Sequence, residues 1–245
     1  PGLPVVSTSL IVRTGSAANP ADKPGLANFT AAMLDEGTAS RSALQIADQV
    51  AQLGASLSTA STMDSTQISG ASLRRNFPAL LDLIADVSRR PAFPEEEVTR
   101  QRASRLGNLA QQRENPGAVA NVAMFAALYG SNHPYGFVDL GTEASNKAIT
   151  RDDMQKFWTE NFVPNNAALV VSGQVTVADL KPLVEKAFGD WQKGTPASPA
   201  LSEPITTKSR LVIVDKPGAP QTQLRVASIG VPRSTPDYEA LRVMN

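Results

Sequence analysis

The chain has 245 residues, 42% of them hydrophobic and 19% charged, which is enough for one large domain or for one domain and part of another. Lys plus Arg and Asp plus Glu both total 23, so the formal net charge is zero and gives no electrostatic reason to expect nucleic acid or an anionic membrane as a partner. The chain contains no cysteine, which excludes a disulfide framework and a thiol nucleophile. No apolar run is long enough to span a bilayer, so no membrane span is expected.

The first 75 residues contain three predicted strands. Residues 5–14 are rich in β-branched side chains and precede a predicted turn at residues 15–20. Residues 55–61 and 65–73 are rich in Ser and Thr and alternate in polarity, which predicts a β-hairpin. Such a polar hairpin is typical of the edge of a sheet.

A helix is predicted over residues 23–38, with Pro24 in its first turn and Gly37 just past its last. Its core-facing stripe consists of Leu26, Phe29 and Met33. At about 100° per residue, a neighbouring face carries Asn28, Ala31 and Ala32.

Further helices are predicted from their apolar spacing and end signals. They cover residues 42–53, 76–90, 95–114, 117–129 and 177–188, and one begins near residue 150 with Thr150 as N-cap and Asp153 at its third position. In the helix over 42–53 the apolar positions are Leu44, Ala47, Val50 and Ala51. In the helix over 95–114, Arg100, Arg102 and Arg105 could form a basic patch, but they alternate with acids and amides and are interpreted as a solvated helix face.

The single histidine, His133, precedes a proline in a turn at residues 130–136. A general base there is one hypothesis, since histidine titrates near neutrality. With no Gly-x-Ser-x-Gly elbow, no Gly-rich phosphate loop followed by Lys and no Cys/His pair, a structural role is favoured. A catalytic zinc site usually takes two or three His or Cys ligands, so none is expected within this chain, and no cofactor is expected either.

Residues 167–173 are apolar on both faces and are predicted to form a central strand. Residues 193–209 have the Pro, Ser, Thr and Gly content of a linker. Beyond it, strands are predicted at residues 210–214 and 223–231 and a helix at 237–245, which repeats the order of the N-terminal region. We therefore expect a domain over 1–192, a linker over 193–209 and the truncated start of a second, similar domain over 210–245. The chain begins with Pro1 and is expected to be a piece of a longer protein.

The run from Gly25 to Met33, followed by Asp35-Glu36-Gly37-Thr38, resembles the signature helix of the pitrilysin, insulinase and mitochondrial processing peptidase family. Active members carry His-x-x-Glu-His there, in which two histidines hold zinc and the glutamate activates water. The matching positions here are Asn28, Ala31 and Ala32, and the family's third zinc ligand, a glutamate about 75 residues further on, matches Asn108. The resemblance thus identifies four vestigial positions that cannot perform the family's chemistry.

The resemblance extends over nearly the whole chain and implies an α+β fold, a largely antiparallel sheet with helices packed on one face. It implies a non-catalytic half that pairs with a catalytic zinc-peptidase half, fused upstream or separate, to enclose a peptide. In the family the corresponding edge strand can pair with an extended peptide, but an ordinary surface hairpin is the favoured interpretation of residues 55–73. The two other functions considered are a purely structural scaffold subunit of a complex and an unrelated enzyme. Similarity to bacterial two-part members favours the periplasm or cell envelope. The substrate-contacting Arg and Tyr of such halves are expected beyond residue 245.

Overall fold

The computed structural model describes residues 4–130, 133–196, 198, 201 and 209–244. Its sheet has four strands: β1 (Val5–Val12), β2 (Ser56–Ser61), β3 (Thr66–Leu73) and β4 (Ala167–Gly173). Their order is β2-β3-β1-β4, and every neighbouring pair is antiparallel. The predicted antiparallel sheet and the hairpin formed by β2 and β3 are confirmed.

The described residues include nine α-helices. They are α1 (Leu26–Ala32), α2 (Ala43–Gln52), α3 (Phe77–Arg89), α4 (Glu95–Glu114), α5 (Pro116–Tyr129), α6 (Glu143–Ala148), α7 (Arg151–Asn161), α8 (Val177–Phe188) and α9 (Tyr238–Met244). Short 3-10 turns stand at Ser16–Ala18, Arg74–Asn76, Pro134–Gly136 and Pro164–Asn166.

The hydrophobic core lies on one face of the sheet. Leu10 and Val12 of β1 and Ile68 of β3 point into it, where they join Phe29 of α1 and Leu80 of α3. A smaller cluster around Phe77 and Leu81 packs α8 against α3 and β1. Burial alternates along β1 and β3, so one face is covered by helices and the other is open. This arrangement is the α+β fold expected from the sequence.

The signature helix is shorter than predicted. It runs from Leu26 to Ala32, not over residues 23–38, because Gly25 adopts a left-handed conformation with φ of +93° and cannot belong to a right-handed helix. Pro24 therefore lies before the helix, and Gly37 forms an isolated β-bridge with Ser42 well past its end. The predicted core stripe of Leu26, Phe29 and Met33 is buried as expected.

The buried side of α2 differs from the predicted one. Ile46 is buried and Val50 partly buried, whereas Leu44, Ala47 and Ala51 are exposed. The helix is amphipathic, and the face that packs on the core carries Ile46 and Val50. The predicted positions that are exposed are alanines apart from Leu44 and therefore offer less apolar surface to bury.

Two further predictions about strands are wrong for the described residues. β4 lies at an edge of the four-stranded sheet, with Val170 half-exposed, although its apolar composition predicted a central position. Residues 210–214 and 223–231 form no strand. The hydrogen bond that joins them to a helix is made by a side chain, from Arg225 Nε to Asn121 Oδ1 of α5 at 2.9 Å, and supplies no ladder. The predicted linker at 193–209 falls largely outside the described residues, and α6 was not predicted at all.

A buried carboxylate ties the turn after α1 to α3. Asp86 on α3 has no solvent exposure. Its Oδ2 accepts hydrogen bonds from Thr38 Oγ1 at 2.7 Å, Ser40 Oγ at 3.1 Å and Arg41 Nη1 at 2.5 Å, while Oδ1 accepts one from Arg90 Nε at 2.8 Å. Because every contact is to a donor, the carboxylate is fully compensated and the turn that follows the signature segment is held in place.

Candidate functional site

The vestigial positions do not come together as a set of ligands. Ala31 is buried, Asn28 and Ala32 are half-buried on α1, and Asn108 is exposed on α4. The two alanines have no donor atom for a metal, and the side-chain oxygen of Asn28 is already used by an arginine. These residues therefore do not fit a zinc ion, which needs Cys, His or carboxylate ligands.

Arg105 of α4 fills the space next to Asn28. Its Nη1 donates to Asn28 Oδ1 at 2.8 Å and its Nε to Asn146 Oδ1 of α6 at 2.7 Å. Its Nη2 donates to the backbone oxygens of Leu140 at 3.1 Å and Gly25 at 3.5 Å. One guanidinium thus connects α1, α4, α6 and the loop before α6.

The environment of Arg105 is buried and lacks a counter-charge. Only 5% of the residue is exposed, and no carboxylate in the described part of the chain forms an ion pair with it. Burial lowers the pKa of Arg105 to about 10. The guanidinium carbon lies 4.6 Å from the centre of the Phe29 ring, where the ring's π face offers partial compensation. The group remains charged at neutral pH.

The interpretation of the arginines as a solvated face is therefore wrong for Arg105 and only partly right for Arg102. Arg102 is half-buried and donates to the backbone oxygens of Asn146 and Ile149 near the end of α6. Arg100 is exposed, bound to Glu36 and Glu97. A signal was present in the sequence, because Val98, Arg102, Arg105 and Leu109 lie on one helical stripe whose two ends are apolar.

The loop that faces Arg105 packs closely against the start of α1, where Gly141 lies against Pro24 and Gly25. A side chain at Gly141 would meet the backbone oxygen of Pro24 at 2.1 Å, so only glycine allows this contact. Ser145 of α6 also donates to the same oxygen at 2.7 Å. The segment before α1 and the start of α6 are consequently locked together around the buried guanidinium.

His133 has the structural surroundings that the sequence favoured. It is 4% exposed, and its Nδ1 accepts a hydrogen bond from the backbone N–H of Tyr135 at 3.0 Å. The ring also packs against Tyr129 and Tyr135 at centroid distances of 5.2 Å. It is not placed beside Asn28 or Arg105 by any of these contacts.

The described residues contain no group of three or more His, Asp or Glu side chains that could hold a metal ion. In the same residues, no helix combines the length and apolar character needed to cross a membrane.

β2 forms an edge of the sheet next to the signature segment. It packs against α1, and Thr59 Oγ1 donates to Asp35 Oδ1 at 3.5 Å, just past the end of that helix. In an antiparallel pair, every second residue directs its N–H and C=O groups to the partner strand. Thr62 N donates to Ser65 O at the end of the hairpin, so the residues that bond to β3 are those two and four positions before Thr62, namely Ala60 and Ser58. The N–H and C=O groups of Leu57 and Thr59 therefore point away from β3 toward the open edge.

Two neighbouring register rows on the open face of the sheet consist mostly of small, uncharged side chains. Ser58 of β2, Ser69 of β3, Ser9 of β1 and Val170 of β4 lie in one register row across it. The next row consists of Ser56, Ala71, Ser7 and Ser172. Ser9 and Ser69 share a hydrogen bond of 2.8 Å between their hydroxyls. These strands enclose a shallow groove of about 350 Å³ with no charged residue in its lining.

The sheet and its covering helices define an α+β domain whose α1 carries Asn28, Ala31 and Ala32, none of which is a ligand suited to zinc. Two family models match the chain: "Insulinase (Peptidase family M16)" over residues 1–135 and "Peptidase M16 inactive domain" over residues 148–245. The chain belongs to peptidase family M16.

Individual relatives agree with this assignment. The chain is 26% identical over 189 residues to an uncharacterized zinc protease of Rickettsia bellii (strain RML369-C), covering 77% of this chain and 46% of that protein. It is 27% identical to the mitochondrial-processing peptidase subunit beta of Mus musculus, covering 100% of this chain and 50% of that subunit. The chain spans about half the length of these curated relatives.

Among solved structures, the chain matches the peptidase M16 inactive domain from Pseudomonas fluorescens. The TM-score is 0.76 with 27% sequence identity, and the match covers 82% of this chain and 49% of that one. The expected family and fold are thereby confirmed.

Proposed function

We propose that this chain is part of a non-catalytic half of an M16 peptidase, which pairs with a catalytic half and helps to enclose and bind its peptide substrate. The observation that carries the proposal is the combination of an open edge strand and a chemically inert signature helix. β2 keeps unpaired backbone groups beside α1, while α1 offers only an amide and two methyl groups where active members carry ligands and a base.

The open edge supports binding of an extended peptide. Backbone groups of Leu57 and Thr59 face outward and can pair with a peptide as an added strand. The adjoining serine-lined face carries no charge that would need a matched partner. A peptide held in this way is desolvated and oriented before it reaches a catalytic centre elsewhere, which contributes to rate without a metal in this chain.

The first experiment measures cleavage of an internally quenched fluorogenic peptide by the catalytic half with and without the non-catalytic half. We expect hydrolysis to rise several-fold when the two halves associate, and the non-catalytic half alone to be inactive. A stable complex with unchanged hydrolysis would favour the alternative, a purely structural subunit.

A variant of the edge strand tests the mode of binding. Thr59→Pro removes an outward N–H without removing a ladder bond, because proline is tolerated at an edge when its nitrogen faces away from the partner strand. We expect the stimulation of hydrolysis to fall at least threefold. Thr59→Val is the matched control, since it removes the hydroxyl contact with Asp35 and keeps the backbone donor. Equal stimulation by both variants would rule out strand addition at β2.

A further inference from the structure

The buried positive charge of Arg105 has no negative partner in the described structure, which favours binding of an anion nearby. All four hydrogen bonds of Arg105 go to neutral oxygens, two from side-chain amides and two from the backbone. Neutral acceptors satisfy the hydrogen-bonding groups of a guanidinium but leave its charge uncompensated, and charged acceptors form the stronger bonds.

Asn28 provides the route from this charge to the surface. The residue is half-buried, its Oδ1 accepts from Arg105, and its Nδ2 makes no hydrogen bond within the described part of the chain. Nδ2 is also not among the described side-chain atoms that are buried without a partner, so it is in contact with solvent. Because hydrogen bonds in a chain polarise one another, donation by Arg105 to the amide oxygen makes Nδ2–H a stronger donor.

We propose that Asn28 and Arg105 together form a carboxylate-binding site, in which Asn28 Nδ2 donates to a carboxylate oxygen of a bound peptide and the guanidinium behind it supplies the compensating charge. The carboxylate could belong to an acidic side chain or to a C-terminus, which share the same chemistry. The inference rests on the proposed function, since it names the peptide group that this half recognises next to α1 and β2.

Neighbouring charges are arranged in agreement with such a site. Arg102, whose guanidinium lies 5.7 Å from the same Phe29 ring, also donates only to backbone oxygens in the described structure. Asp139, beside Leu140, accepts from Ser16 Oγ at 3.2 Å and is not paired with either arginine. The two guanidinium groups near the Phe29 ring therefore both lack a carboxylate partner in the described structure, and no carboxylate competes for Arg105.

The test uses three blocked tripeptides as probes for the purified chain. They are acetyl-Ala-Glu-Ala-amide, acetyl-Ala-Gln-Ala-amide and acetyl-Ala-Ala-Ala with a free C-terminal carboxylate. Binding is followed at low ionic strength from the ¹⁵N–¹H resonances of the Asn28 side chain and of backbone amides 27–30. We expect saturable shifts with one or both carboxylate peptides and none with the glutamine peptide, and the two carboxylate arms identify which source is preferred.

Variants separate the site from general electrostatics. Arg105→Met should weaken carboxylate binding about tenfold, as expected for the loss of a charge-assisted interaction. Arg100→Met is the matched control, because it removes one positive charge from the same helix at an exposed position and should leave binding within twofold. If Arg105→Met does not fold, Asn28→Ala, which leaves the other three bonds of Arg105 intact, should give a loss of similar size.

Equal, non-zero shifts with the glutamate and glutamine peptides, no shift with any peptide, or equal losses in Arg100→Met and Arg105→Met would overturn the inference. Stimulation of hydrolysis by the non-catalytic half without any dependence on carboxylate would overturn it as well, while leaving the proposed function intact. Carboxylate binding without stimulation would instead contradict the proposed function alone.

Discussion

Asp86 is the residue on which the turn after the signature helix depends. Replacing it by alanine leaves the donors of Thr38, Arg41 and Arg90 without their shared acceptor. We expect Asp86→Ala to lower the free energy of unfolding by about 2 to 3 kcal/mol, since an arginine that loses its buried partner is costly but two of these donors can turn to water. Urea denaturation measures the change. The control is Asp82→Ala. The Asp82 carboxylate is half-exposed and lies 3.3 Å from Arg41, so its loss should lower the free energy of unfolding by less than about 1 kcal/mol.

The same carboxylate makes stability depend on pH in a defined direction. Burial alone would raise the pKa of Asp86, but hydrogen bonds from Thr38 and Arg41 outweigh it and hold the pKa below the ordinary value of 3.8. Because the folded pKa is depressed, the contribution is complete above the unfolded value and is lost as pH falls toward the folded one. The stability difference between wild type and Asp86→Ala should therefore be constant from pH 7 to 5 and shrink below about pH 4. A difference that grew on acidification would contradict this.

At the residue scale, sequence reasoning identified Asn28, Ala31, Ala32 and Asn108 as the positions to inspect. It could not foresee that Asn28 accepts from Arg105, because that contact joins residues 77 apart in the chain. Whether a charged residue on a helical stripe is buried depends on the acceptors available to it. Two acceptors of Arg105 are backbone oxygens, which no pattern of side chains in the sequence reveals.

At the scale of elements, α1 and α4 determine whether the zinc chemistry of the family can be restored. Combining Asn28→His, Ala31→Glu, Ala32→His and Asn108→Glu should produce neither stoichiometric zinc nor peptidase activity, because Arg105 would place a positive charge beside a new ligand and oppose the metal. Adding Arg105→Leu should raise zinc affinity above that of the fourfold variant. Zinc content by atomic absorption is the measurement, with Arg100→Leu in the same background as the control. Tight zinc binding by the unaltered chain would refute the vestigial assignment.

Elements with local end signals were predictable and elements set by tertiary contacts were not. Thr150 caps α7 and pairs with Asp153 as expected, because a capping box is written in four consecutive residues. The early start predicted for α1 failed at Gly25, which is left-handed and packs closely against the distant loop at Leu140 and Gly141. The edge position of β4 likewise depends on which strands are present beside it, and its apolar residues pack partly against α8.

At the scale of the whole molecule, the chain divides into a packed body and a segment with little burial. Among residues 209–244, Leu211, Ile213, Val226 and Val243 are each more than 80% exposed. We expect limited trypsin digestion to cut after Arg210, Arg225 and Arg233 before it cuts within α3 or α4, because exposed backbone without a ladder reaches the protease most easily. Mass spectrometry of the fragments identifies the sites. First cleavage inside α4 would contradict this division.

The fold of the body was predictable as a whole because family resemblance and apolar alternation indicate the same sheet. The second domain expected over residues 210–245 stays a prediction. A strand forms only when another strand pairs with it. Composition therefore identifies segments that are able to form strands, but not whether they are paired in a sheet.

The hydroxyl-covered sheet has one more physical consequence. A serine side chain rotates freely enough to give or to receive a hydrogen bond, so each can adapt to whatever group lies above it. Rows of such side chains impose no pattern of pockets or fixed charges, and water readily bridges the remaining gaps. A polypeptide resting there would be free to shift its register, and discrimination among sequences would fall to the few anchored points at the margin.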